Sequence, residues 1–300
     1  CLAGVVMWDA RNGRPVNFAF GRRHLIFSQW TPPGELEDVG FNLRGIAVVG
    51  DVVYGTLYHE NQVVGMSTKT GQKTGSWPIK NPTGIAANKD GKLLVVSHAD
   101  RMVVQLDPAT GATSSLINSL NDPYALTLDA QSNIYVSDRG SAMQVRVFDA
   151  TGNALRTIGK LGGRSTIGRY DPSGMLNPAG LVVDAQGKLW VAESDDSPRR
   201  VSVWDSMSGQ LLGDLLGPGN YAVMGAADPK RPNWVSTHNT LFDVDYATGA
   251  VKTIATLVRL NASGPQLGLD GQGRDLRFHH VNNRIYLSAS GRGKIGRAHV

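Results

Sequence analysis

An all-β fold, a β-propeller of four-stranded antiparallel blades, is predicted by three features of this 300-residue chain. The first is a recurring ending: an apolar-alternating run, an Asp-type residue, a short turn and a Gly. Its six copies are Val6–Asp9 to Gly13, Val64–Ser67 to Gly71, Val104–Asp107 to Gly111, Val147–Asp149 to Gly152, Val203–Asp205 to Gly209 and Phe242–Asp245 to Gly249. The second is spacing. Successive turn glycines lie 58, 40, 41, 57 and 40 residues apart, and a period of this size with turn chemistry at fixed offsets marks one four-stranded sheet per repeat. The third is composition: 36 Gly with only 18% charged residues suits short strands joined by tight turns rather than long helices or disorder.

The copy from Leu176 to Gly209 is the best preserved. Asn177-Pro178-Ala179-Gly180 opens it, and Leu181-Val182-Val183-Asp184 reads as a short buried strand. Ala185-Gln186-Gly187-Lys188 is a turn, with Gly supplying the positive φ that hairpins need. Leu189–Glu193 is the second strand, Ser194–Pro198 a loop, Arg199–Trp204 the third strand and Gln210–Leu212 the fourth. The same grammar recurs at Asn81-Pro82-Thr83-Gly84-Ile85, at Asp122-Pro123-Tyr124-Ala125-Leu126 and at Leu43-Arg44-Gly45-Ile46, each ahead of a second-strand run. A more degenerate copy spans Tyr221–Gly249 and keeps Asn233-Trp234-Val235.

The period also bounds the domain count. Length alone suggests about two domains, whereas the repeats read as one ring over residues 1–291. Residues 1–13 resemble closing strands and Arg274–Ser290 opening strands. Five complete blades and one composite blade would make six, and pairing the ends would remove exposed edges. The rival reading is a piece of a longer chain with more blades. Ile295–Val300 reads like an in-frame sequencing adapter with Lys294 at the junction, so residues 292–300 are expected to be non-native and to pack poorly. Two insertions break the period: Arg14–Gly40, rich in aromatics, and Gly159–Met175, basic and Gly-rich. Long loops on a rigid scaffold are where function concentrates.

Charge and cysteine narrow the function classes. The formal net charge is +5, and it is +3 without Lys294 and Arg297, too mild to indicate nucleic-acid binding by itself. Arg156, Lys160, Arg164 and Arg169 form a local basic cluster, read either as a solvated loop or as a phosphate-binding patch. Cys1 is the only cysteine, which excludes an internal disulfide or a Cys-based metal knuckle in this sequence. No apolar run reaches the roughly 18 residues of a membrane-spanning helix, so no membrane insertion is expected.

Pro-x-Gly-Leu-x-Val-Asp, Gly-Lys-Leu-Trp-Val-Ala-Glu and Arg-Val-x-Val-Trp-Asp resemble the NHL repeat, well over residues 40–250 and most strongly over 81–209. The resemblance implies a six-bladed, TolB-like propeller. It implies a bacterial, periplasmic or extracellular setting, and fixes the fold without fixing an activity. Gly159–Met175 is similar to the Gly-rich stretch between repeats in bacterial NHL proteins.

The ends of the second strands align as His59, His98, Asp138, Glu193 and His238. Three imidazoles and two carboxylates are ligand types for a divalent metal, calcium or zinc. Lactonase-like and amidating-lyase propellers hold metals near the axis, so this reading gives a metal-dependent hydrolase or lyase with Glu193 or Asp138 as base. In the other reading these side chains accept backbone N–H bonds in the loop that follows each strand. No His-Glu-x-x-His, Gly-x-Ser-x-Gly or phosphate-binding loop is present. The first hypothesis is therefore a non-catalytic ring that binds a protein or carbohydrate partner, as a monomer or within a larger chain. Lys160, Arg164, Arg169, Tyr170, Arg199 and Arg200 would supply its binding face. A third reading, single-stranded RNA on Arg156, Lys160, Arg164, Arg169, Arg199 and Arg200, requires these cations to gather on one surface.

Overall fold

The computed structural model describes residues 43–166, 168–194, 198–217, 225–237 and 240–256, with the backbone of strands at 8–9, 14–15, 275–281, 284–291 and 294–299. Every regular element among them is a strand. β1 (Trp8–Asp9) pairs with β2 (Arg14–Pro15). The first four-stranded sheet comprises β3 (Leu43–Val49), β4 (Val52–Leu57), β5 (Gln62–Ser67) and β6 (Lys73–Pro78). The second takes β7 (Pro82–Ala87), β8 (Leu93–Ser97), β9 (Met102–Leu106) and β10 (Thr113–Ile117). The third takes β11 (Pro123–Leu128), β12 (Ile134–Asp138), β13 (Gln144–Phe148) and β14 (Ala154–Ile158). After the short β15 (Gly168–Arg169) come β16 (Pro178–Val183), β17 (Lys188–Glu193), β18 (Arg199–Asp205) and β19 (Leu211–Gly217), again one sheet in sequence order. β20 (Gly225–Asp228), β21 (Arg231–Thr237), β22 (Thr240–Asp245) and β23 (Ala250–Thr256) form the next, and β15 joins it beside β23. β24 (Asp275–Val281), β25 (Arg284–Gly291) and β26 (Lys294–His299) close the list as a three-stranded sheet.

Up-and-down meanders of four strands are propeller blades, and the chain has that fold. No helix of the described residues is long and apolar enough to cross a membrane. Among the described residues β1–β2 and β24–β26 are separate sheets. Near the C-terminal end, β26 pairs with β25 from Tyr286 opposite His299 to Gly291 opposite Lys294. Backbone groups alone can pair an extended segment onto a strand edge, whatever its side chains.

The repeated turns follow from local chemistry. Asp107 Oδ1 accepts the Ala109 N–H at 2.9 Å, and Gly111, at φ +76°, returns its N–H to the Asp107 carbonyl at 2.8 Å. Asp205 and Asp245 do the same through Met207 and Ala247, ahead of Gly209 and Gly249. Ser67 replaces the carboxylate with a hydroxyl that accepts from Lys69 and Thr70. These are Asx and Ser turns in which Gly occupies the left-handed position. Hydrogen bonds from Thr151 and Asn153 hold the Asp149 carboxyl down at about 2.

Two compact units make up the chain: residues 1–158 with 179–189, and 159–178 with 190–300. In the first, the sheets pack face to face through strands buried on both sides. β8 sends Leu93 and Val95 toward Tyr54, Val63 and Ile85, while Leu94 and Val96 meet Leu126, Ile134 and Phe148. Alternation at period two thus fills two cores from one strand. The first strands lie so close that glycine is required: a Cβ on Gly45 would stand 2.5 Å from the Thr83 carbonyl, and one on Gly84 2.7 Å from Ala125 Cα. A hydroxyl reinforces the approach. Thr56 Oγ1 accepts from Gly45 N–H at 2.7 Å and donates to Thr83 O at 2.6 Å. Ser137 repeats this, accepting from Ala125 N–H at 2.8 Å and donating to Ala179 O at 3.2 Å.

Candidate functional site

Cross-strand register decides which side chains share a position around the first unit. Pro82 stands opposite Ser97, Pro123 opposite Asp138 and Leu43 opposite Leu57. Leu57, Ser97 and Asp138 are therefore equivalent, and the next residues, Tyr58, His98 and Arg139, form the following set. The backbone agrees: His98 N–H donates to Asn81 O and Arg139 N–H to Asp122 O. Asp138 and His98 belong to adjacent positions of the repeat, and His59 lies one further still.

Asp138 is fully buried and accepts the N–H groups of Asn121 and Asp122, both at 2.8 Å, with Arg146 Nη1 at 3.5 Å. It anchors the start of its own blade. Glu193, in the second unit, is also committed. Its Oε2 accepts from Arg164 at 2.8 Å and from Leu176 N–H at 3.0 Å, and its Oε1 from Arg200 at 2.8 Å. Burial pushes its carboxyl up, against the two guanidiniums that pull it down. His238 lies outside the described residues. Among the described residues no three His, Cys, Asp or Glu side chains gather as a metal ion requires, and the donor atoms of Asp138 and Glu193 are occupied.

Arg164 and Arg200, read from sequence as part of a binding face, are 5% and 2% exposed. Arg200 donates to Glu193, to the Gly174 and Pro172 carbonyls and, through Nε, to Asp214 at 2.7 Å. Tyr170 donates its hydroxyl to Asp214 at 3.0 Å, and burial pushes that hydroxyl's pKa upward. The insertion 159–175 is thus fastened to the second unit from beneath. Of the remaining cations, Lys160 pairs with Asp171 at 2.7 Å, and Arg169 and Arg199 are exposed. With two arginines buried in ion pairs, the six cations of the RNA reading do not share an open surface.

The convergent cluster of the first unit lies instead where first strands begin and second strands end, on three neighbouring blades. Arg44 stands 5.2 Å from the centroid of Tyr58. The Tyr58 ring contacts His59 edge-on at 5.1 Å and His98 at 6.0 Å. His98 Nδ1 is 3.0 Å from the Pro123 carbonyl and 3.4 Å from Asp122 Oδ1. A carbonyl only accepts, so the proton is assigned to Nδ1, leaving Nε2 for other partners. Arg139 lies flat against Tyr124 at 3.6 Å. Burial pushes the Arg139 pKa down, and Arg44 pushes the same way, while Tyr124 and Asp122 oppose. Each of the two guanidiniums is thus braced on an aromatic ring. Planar guanidiniums of this kind recognise carboxylates through paired N–H donors.

Sequence reasoning quoted Arg44, Asp122 and Tyr124 as repeat landmarks without giving them a role, and passed over Tyr58 and Arg139. The available signal was the variable residue of the Pro-x-Gly motif, which is Arg44, Thr83 and Tyr124 in successive copies.

No family model matches the chain, and no curated protein matches its sequence. Solved structures do match. Hydrazine synthase from Kuenenia stuttgartiensis is 15% identical, with a TM-score of 0.50 over 83% of this chain and 76% of that one. Virginiamycin B lyase from Staphylococcus aureus, in a catalytically inactive form with quinupristin, is 13% identical with a TM-score of 0.48, covering 89% and 83%. At such identities the likeness is one of fold, and the fold is the β-propeller.

Proposed function

We propose that this chain is a non-catalytic, NHL-like propeller that acts as a rigid binding ring for a partner presenting carboxylates, protein or carbohydrate. The supporting observation is the cluster of Arg44, Tyr58, His98, Tyr124 and Arg139, with Arg139 3.6 Å over Tyr124. Stacking fixes each guanidinium before a ligand arrives, which lowers the ordering cost of binding. Asp122 is engaged by His98, so the cluster keeps a positive balance. Arg44 and Tyr124 lie on strands, and Tyr58, His98 and Arg139 each directly follow the end of one, so three blades anchor the groups at strand ends. On this reading the ring works outside the cytoplasm, as the NHL resemblance implies.

The test is isothermal titration with polygalacturonate and with poly-glutamate, at low and high salt. Saturable, salt-sensitive binding of either is expected, weakened at least ten-fold by Arg139→Gln and by Arg44→Gln. The two polymers distinguish a carbohydrate from a protein source of the carboxylate. Failure of both polymers to bind, or binding indifferent to both substitutions, would sink the reading.

A further inference from the structure

The second unit carries a separate groove, built by the insertion. β15 adds to β23 with Gly168 opposite Thr256 and Arg169 opposite Ala255. Tyr170 N–H continues the pairing to Ile254 O at 2.9 Å. β23 begins at Ala250, so among the described residues β15 occupies only the later part of that edge. Alongside lies a cavity of about 670 Å³, walled by Gly168–Tyr170 and Pro172, by Asp214 and Leu216 of β19, and by Val251–Thr256 of β23. That volume falls within the range of ligand pockets.

The chemistry of the walls is uneven. Asp214 is already bound to Arg200 and Tyr170. Arg169 and Lys252 are exposed, and no carboxylate among the described residues pairs with Arg169. Leu216 and Ile254 supply apolar surface between the cations. Thr253 is 5% exposed, and its hydroxyl has no hydrogen-bond partner among the described residues. A buried hydroxyl is normally satisfied, and this one belongs to a residue that lines the groove.

We propose that the groove captures an acidic, extended segment of another protein, which adds as a strand to Ala250–Thr253 in line with β15. The edge already accepts an added strand at Thr256 and Ala255, so the geometry for main-chain pairing is established there. Strand addition takes its affinity from backbone hydrogen bonds and its selectivity from alternate side chains. Here Arg169 and Lys252 select carboxylates, and Leu216 and Ile254 receive the apolar residues between them.

Fluorescence anisotropy on the full chain tests this with a labelled ten-residue peptide of alternating Glu and Val. Two further peptides carry methylated backbone nitrogens at the Glu or at the Val positions, and a fourth alternates Lys and Val. The unmodified acidic peptide should bind saturably and at least ten-fold more tightly than the Lys peptide. One of the two methylated peptides should lose at least ten-fold, because only one edge of the strand faces β23. Arg169→Glu with Lys252→Glu should cost at least ten-fold with an unchanged circular-dichroism spectrum. Absence of saturable binding, equal binding of both methylated peptides, or indifference to the charge reversals would each overturn the proposal.

Discussion

Replacing Glu193 with Gln keeps the shape of the side chain and removes its charge, which isolates the ion network under the insertion. Three contacts change character: Arg164 and Arg200 at 2.8 Å each and Leu176 N–H at 3.0 Å. The side chains of both arginines are at most 1% exposed, so water cannot take over from the lost carboxylate. Arg200 retains Asp214, and Arg164 retains the Pro198 carbonyl at 3.5 Å. Breaking a buried pair in this way costs about 3–5 kcal/mol, because a buried charge is left uncompensated. With a urea slope of about 2 kcal/mol per molar, the midpoint should fall by roughly 1.5–2.5 M. Tryptophan emission is a suitable probe, since the Trp204 ring lies 5.9 Å from the Arg200 guanidinium carbon. Adding Arg164→Met and Arg200→Met to Glu193→Gln should recover most of the loss, as apolar replacements of buried ion networks do. A loss below about 1 kcal/mol for Glu193→Gln, the level of an exposed pair, would refute the reasoning.

Gly84→Ala should destabilise the first unit by about 1–3 kcal/mol in chemical unfolding, the cost of overpacking. The new Cβ would meet backbone atoms at 2.7 Å that no rotamer change can move. Thr56→Val should cost roughly 1–3 kcal/mol by the same measurement, because it leaves the Thr83 carbonyl and Gly45 N–H without their bridging hydroxyl. Acid should weaken the fold in a defined window. The Lys160 and Ser173 contacts hold the folded Asp171 carboxyl at about 2, below the ordinary aspartate value of 3.8. A lowered folded pKa contributes stability that is present above the unfolded value and disappears as pH falls through the folded one. Urea midpoints should therefore drop between about pH 4 and 2. Asp171→Asn should remove under about 1 kcal/mol of that dependence, since the pair is largely exposed.

The turns and the sheet order were legible because their chemistry is local. Asp107, Asp205 and Asp245 act on N–H groups two residues on, and a Gly four residues on completes the geometry, so one repeat predicts the next. The rim was less legible because it depends on register. Ser97-His98 and Ser137-Asp138 look aligned in sequence, yet Ser97 shares its position with Asp138. Register shifts between Pro82 and Ile85 and between Pro123 and Leu126 displace the strand ends, and a one-residue slip exchanges one set of side chains for another. That slip drew attention to Asp138 and away from Arg139. The arginines of the insertion misled for a different reason. Nothing near Arg164 in sequence discloses that Glu193 lies against it, and a basic Gly-rich loop reads the same whether its cations face water or a buried carboxylate.

The pairing of β15 with β23 also sets an order of events during folding. Gly168 cannot find Thr256 until the intervening blades have been synthesised and the strand carrying Thr256 has formed. Contacts this distant along the chain are entropically costly to close and tend to form late. Until then the insertion has only its nearer contacts, with Glu193, Arg200 and Asp214. A ribosome-bound intermediate ending before β23 would accordingly hold Gly168 and Arg169 open to protease, and completion of β23 would close that site.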